Sequence, residues 1–350
     1  MDSGWIKNAA SVAERRIFEL ASQLYTPTAT STSTTATMPN TKTVHVPHLG
    51  GIDAAYQMPQ AYDASKPTLC LVNSFTTSSE LYKEQYADKS LTDAMNLIAI
   101  ELLGHGQTRT KSENFTYWDT AIMNVQVLDA LGITGKNKKV FVLGTSQGGW
   151  ITVRMALVAP EKITGIIPLG TSMDYESERT RSLGCWNGPS DLTGTIDECT
   201  SNEATPDFEP SNDYANFLID IGFGKTECPK DARDYWVKEI KANYRGDEGR
   251  RRMRMAAINL SERDGLHSRL WDIRCPVLWL HGTSDVVYSV KNAEEEIKLF
   301  KNSPDARLET VEGGQHFLSF SLRRRLMRLW WSLLGSMGSR PEQNAFHCAS

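Results

Sequence analysis

The sequence predicts an α/β protein whose mostly parallel sheet is flanked by helices and interrupted by one inserted helical cap. Three observations support this prediction. From about residue 44 onward, short apolar runs alternate with amphipathic helical patterns, as in successive strand–helix units. The alternation stops after Gly170 and resumes near Trp271, which indicates an insertion. The third apolar run leads through a glycine-flanked turn directly into a helical pattern.

Six apolar runs have the length and composition of buried strands, and they supply the predicted sheet. Pro168 lies within the fourth run, and because proline has no N–H to donate, we expect strand pairing to stop near it. Helices are predicted over residues 119–131, 149–158 and, near the C-terminus, 317–334. The predicted strands are residues 68–73, 97–102, 140–144, 163–169, 276–281 and 306–311.

The chain divides into three predicted parts. Residues 1–43 combine an amphipathic helix with a Thr/Ser-rich linker, residues 44–170 and 271–340 form the core, and residues 171–270 form the cap. The pattern from Arg16 to Leu24 resembles an internal peroxisomal address, with a helix that packs on its own domain as the alternative. Neither a membrane-spanning apolar run nor a signal peptide is recognisable, so we expect an intracellular protein, cytoplasmic or peroxisomal.

The composition narrows the class of partner. The 350 residues carry a formal net charge of −4, with 40% hydrophobic and 23% charged residues, which is typical of a globular protein and offers no basic surface for nucleic acid. The six cysteines lack the spacing of metal ligands and are expected to be free thiols. We therefore expect a small-molecule partner and no metal or cofactor, while the oligomeric state stays open.

The strongest chemical signal is the segment Gly144-Thr145-Ser146-Gln147-Gly148, which lies between a predicted strand and a predicted helix. A strand that turns sharply into a helix projects the central side chain outwards, and small residues two positions before and after it avoid collisions. This context predicts Ser146 as a nucleophile. A glycine-rich phosphate-binding turn is the alternative, but such a turn would lack the two partners described next.

A serine hydroxyl needs an adjacent base, and the base needs a carboxylate that holds it in the right tautomer. Asp285 follows a predicted strand, at the end where sites of parallel sheets lie, and His316 lies on a glycine-rich loop before the last helix. The sequence therefore predicts Ser146, Asp285 and His316 as a catalytic triad. A turn or helix-cap role is the alternative for Asp285. The competing histidines are His105, His267 and His281.

These residues, with Gly104-His105-Gly106 after the second predicted strand, resemble the α/β-hydrolase superfamily over about residues 44–334. The resemblance implies the α/β-hydrolase fold. It also implies that the backbone N–H groups of Phe75 and Gln147 form an oxyanion hole for the reacting carbonyl.

A narrower resemblance, to hydrolases of fungal secondary-metabolite clusters including those for host-selective toxins, is carried by residues 73–77 (Asn-Ser-Phe-Thr-Thr) and 183–186 (Leu-Gly-Cys-Trp). Most superfamily members have His-Gly where this chain has Asn73-Ser74. These two side chains are expected either to contact the substrate or to cap the strand end. Trp186 is expected to contact an apolar substrate, with the cap core as the alternative for it and its neighbours. The other cap aromatics are Tyr214, Phe217, Phe223, Tyr235 and Trp236.

The sequence as a whole predicts a serine hydrolase. We expect Ser146 to attack an ester, thioester or lactone of a hydrophobic small molecule, and the narrower resemblance suggests a polyketide-like acid in toxin or other secondary-metabolite biosynthesis. Three alternatives stay open. The same triad supports carbon–carbon bond hydrolysis and acyl transfer, and some relatives keep the fold as non-catalytic ligand-binding proteins.

Overall fold

The computed structural model describes residues 39–321. The predicted N-terminal helix, most of the linker and most of the predicted helix 317–334 lie outside the described residues. The strands are β1 (Lys42–Val46), β2 (Ile52–Gln57), β3 (Thr68–Val72), β4 (Asn96–Ile100), β5 (Arg109–Thr110), β6 (Val140–Thr145), β7 (Ile163–Leu169), β8 (Val277–Gly282) and β9 (Ala306–Val311). The helices are α1 (Lys83–Ala87), α2 (Lys89–Ala94), α3 (Tyr117–Ala130), α4 (Gln147–Val158), α5 (Glu178–Ser182), α6 (Gly188–Glu198), α7 (Asn212–Phe223), α8 (Lys230–Asn243), α9 (Gly246–Ser261), α10 (Val290–Glu296) and α11 (Leu318–Ser321).

The strands form one sheet in the order β1-β2-β4-β3-β6-β7-β8-β9, and β5 pairs with β2 beside this path. From β4 to β9 along this order, neighbouring strands are parallel, whereas the pairs of β2 with β1, β4 and β5 are antiparallel. The chain winds outwards from β3 in one direction and from β6 in the other. Ligands of such sheets bind in the crevice beyond the carboxyl ends of the strands at this reversal.

The six predicted strands match β3, β4, β6, β7, β8 and β9 to within two residues at each end. The expectation that pairing stops near Pro168 is confirmed, because β7 ends at Leu169, one residue after the proline, and its register with β6 ends there. The residues that follow the proline make the last backbone hydrogen bonds on both sides of β7. The carbonyl of Leu169 accepts from the N–H of Ser146 at 2.8 Å, and the N–H of Gly170 donates to the carbonyl of Leu280 at 3.0 Å.

The antiparallel strands β1, β2 and β5 were not predicted. β1 begins at Lys42, two residues before the predicted start of the core at residue 44. Its first four residues are exposed or half-buried, so the strand lacks the apolar run that marks an interior strand. β5 contains only two residues, which is too short for any sequence pattern.

Both faces of the sheet are buried, and alternate residues of each strand pack on opposite faces. In β3, Cys70 and Val72 belong to one apolar cluster, while Leu69 and Leu71 belong to the other. Helices α3 and α4 cover the first face, and residues of α2 together with Leu318 of α11 cover the second. This two-sided burial explains why the parallel strands appear in the sequence as continuous apolar runs.

The segment predicted as a cap contains helices α5 to α9 and, within the described residues, no strand. Serine side chains begin two of these helices: Ser177 accepts from the N–H of Thr180 in α5, and Ser211 accepts from the N–H of Tyr214 in α7. Of the predicted cap aromatics, Phe223 and Trp236 pack in the second apolar cluster, as in a cap core, and Tyr235 is 39% exposed.

Two further sequence predictions concern membrane helices and cysteines. No helix between residues 39 and 321 has the length and apolarity needed to cross a membrane. The five cysteines in the same range are free thiols, and Cys348 lies beyond it.

Candidate active site

Ser146 occupies a sharp turn between β6 and α4. Its backbone has φ 53° and ψ −117°, a conformation that L-residues rarely adopt. The turn is possible because Gly144 and Gly148 leave room: a Cβ on Gly144 would lie 2.1 Å from the carbonyl oxygen of Gly148, and a Cβ on Gly148 would lie 2.2 Å from that of Val72. The predicted steric role of the two glycines is therefore visible in the turn.

Ser146, His316 and Asp285 form one continuous hydrogen-bonded chain. The Nε2 atom of His316 lies 2.8 Å from the Ser146 Oγ atom, and its Nδ1 atom lies 2.9 and 3.0 Å from the two carboxylate oxygens of Asp285. Because an ionised carboxylate only accepts hydrogen bonds, Nδ1 carries the proton, and Nε2 is left to accept from the serine hydroxyl. This is the tautomer that can remove the proton of a serine nucleophile.

The carboxylate of Asp285 is held ionised by its surroundings. It is fully buried, yet the backbone N–H groups of Val287 and Tyr288 donate to its Oδ1 atom at 2.8 and 3.0 Å. Burial by itself favours the neutral acid, but His316, His281 and the Tyr288 N–H group outweigh it and hold the pKa of Asp285 below its usual value. A lowered pKa keeps the charge that orients the histidine.

The loops that carry the acid and the histidine touch through their backbones. Gly282 ends β8, three residues before Asp285, and a Cβ on it would lie 2.1 Å from the carbonyl oxygen of Gly314. The N–H of Ser284 also donates to the carbonyl of Gly314 at 3.0 Å. These contacts bring Asp285 and His316 together although 30 residues separate them in the chain.

Ser146 and His316 line a cavity of about 490 Å³, a volume within the range typical of small-molecule sites. Its wall joins core and cap. The apolar part of the wall consists of Phe75, Trp186, Leu192, Tyr214, Phe217, Leu218, Ile221, Leu260, Val287, Tyr288 and Phe317. The sheet therefore supplies the hydrogen-bonded chain, and the cap supplies most of the apolar surface in front of it.

Comparison with known proteins decides the family. The family model for the α/β-hydrolase fold matches residues 67–321, which is more than half of the chain and includes Ser146, Asp285 and His316. The chain belongs to the α/β-hydrolase family.

Individual relatives of this α/β hydrolase are distant. Monoacylglycerol lipase abhd6-B of Xenopus laevis is 22% identical over 282 residues, which cover 79% of this chain and 77% of the lipase. An esterase from Thermogutta terrifontis has the same fold with a TM-score of 0.66 at 17% identity, covering 84% of this chain and 98% of the esterase. A hydrolase from Pseudomonas aeruginosa PA01 has a TM-score of 0.65 at 20% identity, and the match covers 84% of this chain and 98% of that hydrolase.

The two residues predicted to hold an oxyanion lie on the sheet side of this α/β hydrolase, after β3 and after Ser146. Phe75 lies in the loop after β3, the strand next to β6 in the sheet, and it lines the cavity. Gln147 is the first residue of α4, so its N–H is one of the helix N-terminal donors that have no acceptor within the helix. Phe75 therefore lines the cavity, whereas Gln147 does not line it but follows Ser146 at the N-terminus of α4.

The three residues predicted to contact the substrate lie in different surroundings in the structure. Trp186 and Ser74 line the cavity, whereas Asn73 does not. The Asn73 amide group donates to the carbonyl of Thr77 at 2.7 Å, and its oxygen accepts from the N–H of Leu102 at 3.2 Å. Asn73 therefore holds the loop after β3, in line with the strand-end alternative.

The competing histidines have structural partners. His105 is buried beside Phe75, and burial lowers its pKa to about 4. The Nε2 atom of His281 lies 2.8 Å from the carbonyl oxygen of Tyr288, and His267 contacts Glu296 at 2.7 Å. None of the three lines the cavity among the described residues.

Sequence reasoning missed a buried ion pair beside the cavity. Glu176 pairs with Arg263, and both side chains are only 1% exposed. The Glu176 carboxylate also accepts from the Trp186 Nε1–H at 3.0 Å and from the Tyr288 hydroxyl at 3.3 Å, while the Arg263 guanidinium lies 4.1 Å above the Trp150 ring. Because 87 residues separate the two charges, no local pattern signals the pair.

The described part of the hydrolase contains no cluster of three or more histidine, cysteine or acidic side chains arranged to hold a metal ion.

Proposed function

We propose that this α/β hydrolase is a serine hydrolase that cleaves esters of hydrophobic small molecules. The observation that carries the proposal is the hydrogen-bonded chain from Asp285 through His316 to Ser146, which opens into a cavity with a mainly apolar wall. The nucleophile, its base and the acid that orients the base are in contact, as covalent catalysis by a serine requires.

The hydrogen-bonded chain supports a reaction in two steps, acylation and deacylation. The Ser146 oxygen attacks the ester carbonyl while Nε2 of His316 takes the hydroxyl proton, and the same nitrogen then gives that proton to the departing alcohol. A water molecule attacks the acyl-enzyme, again losing a proton to His316, and the acid leaves as Ser146 regains its hydrogen. Asp285 keeps its charge throughout and stabilises the imidazolium.

The oxyanion formed in both steps needs donors that are already in place. We propose the N–H groups of Phe75 and Gln147, because both flank Ser146 and the second belongs to a helix N-terminus, which favours negative charge. Each such donor contributes about 3 kcal/mol of transition-state stabilisation in comparable enzymes.

The wall of the cavity supports the proposed substrate class. Trp186, Phe217 and Leu260 offer apolar surface to an acyl chain or ring, and the comparison proteins named above are a lipase and an esterase. Thioesters and lactones present the same carbonyl chemistry and belong to the same proposal. A polyketide-like acid, a role in secondary-metabolite biosynthesis and a peroxisomal location rest on sequence resemblance alone.

The test combines active-site labelling with turnover. Wild type, Ser146→Ala and His316→Ala are incubated with a fluorophosphonate and analysed by intact-mass spectrometry, and each is then assayed with p-nitrophenyl esters of increasing chain length. We expect one adduct on wild type, none on Ser146→Ala, slow labelling of His316→Ala and ester hydrolysis by wild type alone.

Two results would count against the proposal. Folded wild type that neither reacts with the fluorophosphonate nor hydrolyses any ester would favour a non-catalytic ligand-binding protein. Labelling of Ser146 without hydrolysis of any ester, thioester or lactone would instead favour carbon–carbon bond cleavage or acyl transfer with the same residues.

A further inference from the structure

We infer that the mouth of the cavity selects substrates by charge. Asp191, Glu198 and Asp213 line the cavity and are exposed at its rim. They favour neutral substrates and substrates with a cationic distal group over those with a carboxylate or a phosphate. The inference deepens the proposed function and rests on it, because it concerns which esters reach Ser146.

Helical spacing places two of the three carboxylates on one face of α6. Asp191, Thr195 and Glu198 follow each other at intervals of four and three residues, which brings them to the same side of a helix, and all three line the cavity. Asp197, on the same helix, does not line it. Asp213 comes from the first turn of α7.

The described wall of the cavity contains no lysine or arginine, and none of the three carboxylates takes part in an ion pair within the described range. Arg250 and Arg254 lie nearby, but they donate to the Cys199 carbonyl and the Thr200 hydroxyl, which follow Glu198 in the chain. The side chains that line the cavity therefore give its rim a negative charge.

Glu198 occupies a position that its own helix disfavours. It is the last residue of α6, where the helix dipole is negative and a carboxylate is mildly destabilising. Asp191 and Asp213 lie in first turns, where acidic residues are common, so their presence has a local explanation. Glu198 has no such explanation within its own helix, although Arg250 and Arg254 contact the two residues that follow it.

An independent observation shows that the same cavity is prepared for a polar group. The hydroxyl of Ser74 is fully buried, lines the cavity and has no hydrogen-bond partner among the described residues. A buried hydroxyl without a partner is uncommon and is satisfied when a ligand or water reaches it. The cavity thus combines an uncharged polar group, an apolar wall and a negative rim.

Coulomb's law sets the expected size of the selection. A carboxylate at roughly 8 Å from an anionic substrate group in water disfavours binding about twofold, and three carboxylates together disfavour it about tenfold. Salt screens such exposed charges, so the discrimination should shrink when the ionic strength rises towards 1 M.

The experiment compares three p-nitrophenyl esters that differ only at the far end of the acyl chain. They are the octanoate, the 8-amino-octanoate and the mono-ester of octanedioic acid, so the distal group is neutral, cationic or anionic. The kcat/KM values are measured at low and high salt for wild type, for the triple variant Asp191→Asn, Glu198→Gln, Asp213→Asn, for Glu198→Gln alone and for the control Asp197→Asn.

We expect wild type to hydrolyse the anionic ester about tenfold less efficiently than the neutral one at low salt, and the cationic ester at least as well as the neutral one. The triple variant should bring the anionic-to-neutral ratio close to one, and Asp197→Asn should keep the wild-type ratio. The single variant Glu198→Gln should raise the ratio about twofold, and since it removes an unfavourable helix charge, its folding is not at risk.

Equal hydrolysis of the anionic and neutral esters by wild type would overturn the inference, as would a ratio that the triple variant leaves unchanged. In both cases turnover of the neutral ester would still support the proposed function. If none of the three esters is hydrolysed, the proposed function itself fails, and the charge selection fails with it.

Discussion

Removing one charge of the Glu176–Arg263 pair should destabilise the protein more than removing both. Each side chain is 1% exposed, so water cannot solvate the charge that remains. Breaking a buried pair from one side typically costs about 3–5 kcal/mol, whereas replacing both charges is often close to neutral. The contacts that each remaining charge keeps set the expected cost of each single variant within that range.

In Glu176→Gln the amide oxygen still accepts from Trp186 and Tyr288, and Arg263 keeps its contact with the face of Trp150. A desolvated cation over an aromatic ring gains about 2 kcal/mol, which offsets part of the loss. We therefore expect this variant to lose about 3 kcal/mol of unfolding free energy.

Arg263→Met leaves a buried carboxylate with two neutral donors, and we expect it to lose about 4 kcal/mol of unfolding free energy. The double variant should cost less than either single variant, which corresponds to a coupling of more than about 4 kcal/mol.

The assay is urea denaturation followed by tryptophan fluorescence and circular dichroism, with the slope of the transition compared among variants. The exposed pair of Lys89 and Asp93 provides a matched control, and Asp93→Asn should leave the midpoint unchanged. A coupling below about 1 kcal/mol would show that the pair is better solvated than the structure indicates.

Three further predictions concern the site and its support. Asp285→Asn should lower kcat about 10⁴-fold without loss of folding, since an asparagine no longer enforces the required tautomer; this is measured with a neutral ester and a melting curve. Gly148→Ala should destabilise the protein by about 1–3 kcal/mol because its Cβ meets a β3 carbonyl, whereas Gly194→Ala, with open space around it, should stabilise α6 by about 0.5–1 kcal/mol. The hydrogen bond that His267 donates to the Glu296 carboxylate raises the pKa of His267 above its ordinary 6.5, so the stability advantage of wild type over His267→Gln should be greatest below pH 6.5 and disappear as the pH rises through the raised pKa.

One result for each of these predictions would contradict it. Substantial activity in Asp285→Asn would mean that another group orients the histidine. A Gly148→Ala protein as stable as wild type would show that β3 can move away from the turn. A stability difference at His267 that grows with pH would contradict the sign of its pKa shift.

The interior of the fold was predictable because its strands are buried on both faces and therefore appear as apolar runs. β1, with the sequence Lys-Thr-Val-His-Val, was not predictable, because its exposed positions are polar and its pairing with β2 is decided by the tertiary structure.

The candidate site was likewise predictable from the sequence only in part. Ser146 carries a local signature of strand, turn and helix, and Asp285 and His316 follow from the order in which this architecture presents its residues. The role of Asn73 depends on Leu102, which belongs to another strand end, and no pattern near residue 73 reports that contact. The carboxylates at the rim were likewise not predicted, because their common orientation appears only when α6 and α7 face the same cavity.

The close backbone contact between Gly282 and Gly314 has a consequence for how this enzyme can diversify. The positions of the acid and the histidine are fixed by main-chain atoms of two neighbouring loops, which no side-chain replacement in the cap alters directly. The rim, by contrast, consists of surface residues of α6 and α7. Substrate preference can therefore change through these two helices while the reactive groups stay in place, and a mutant library restricted to them is the economical way to search for new esters.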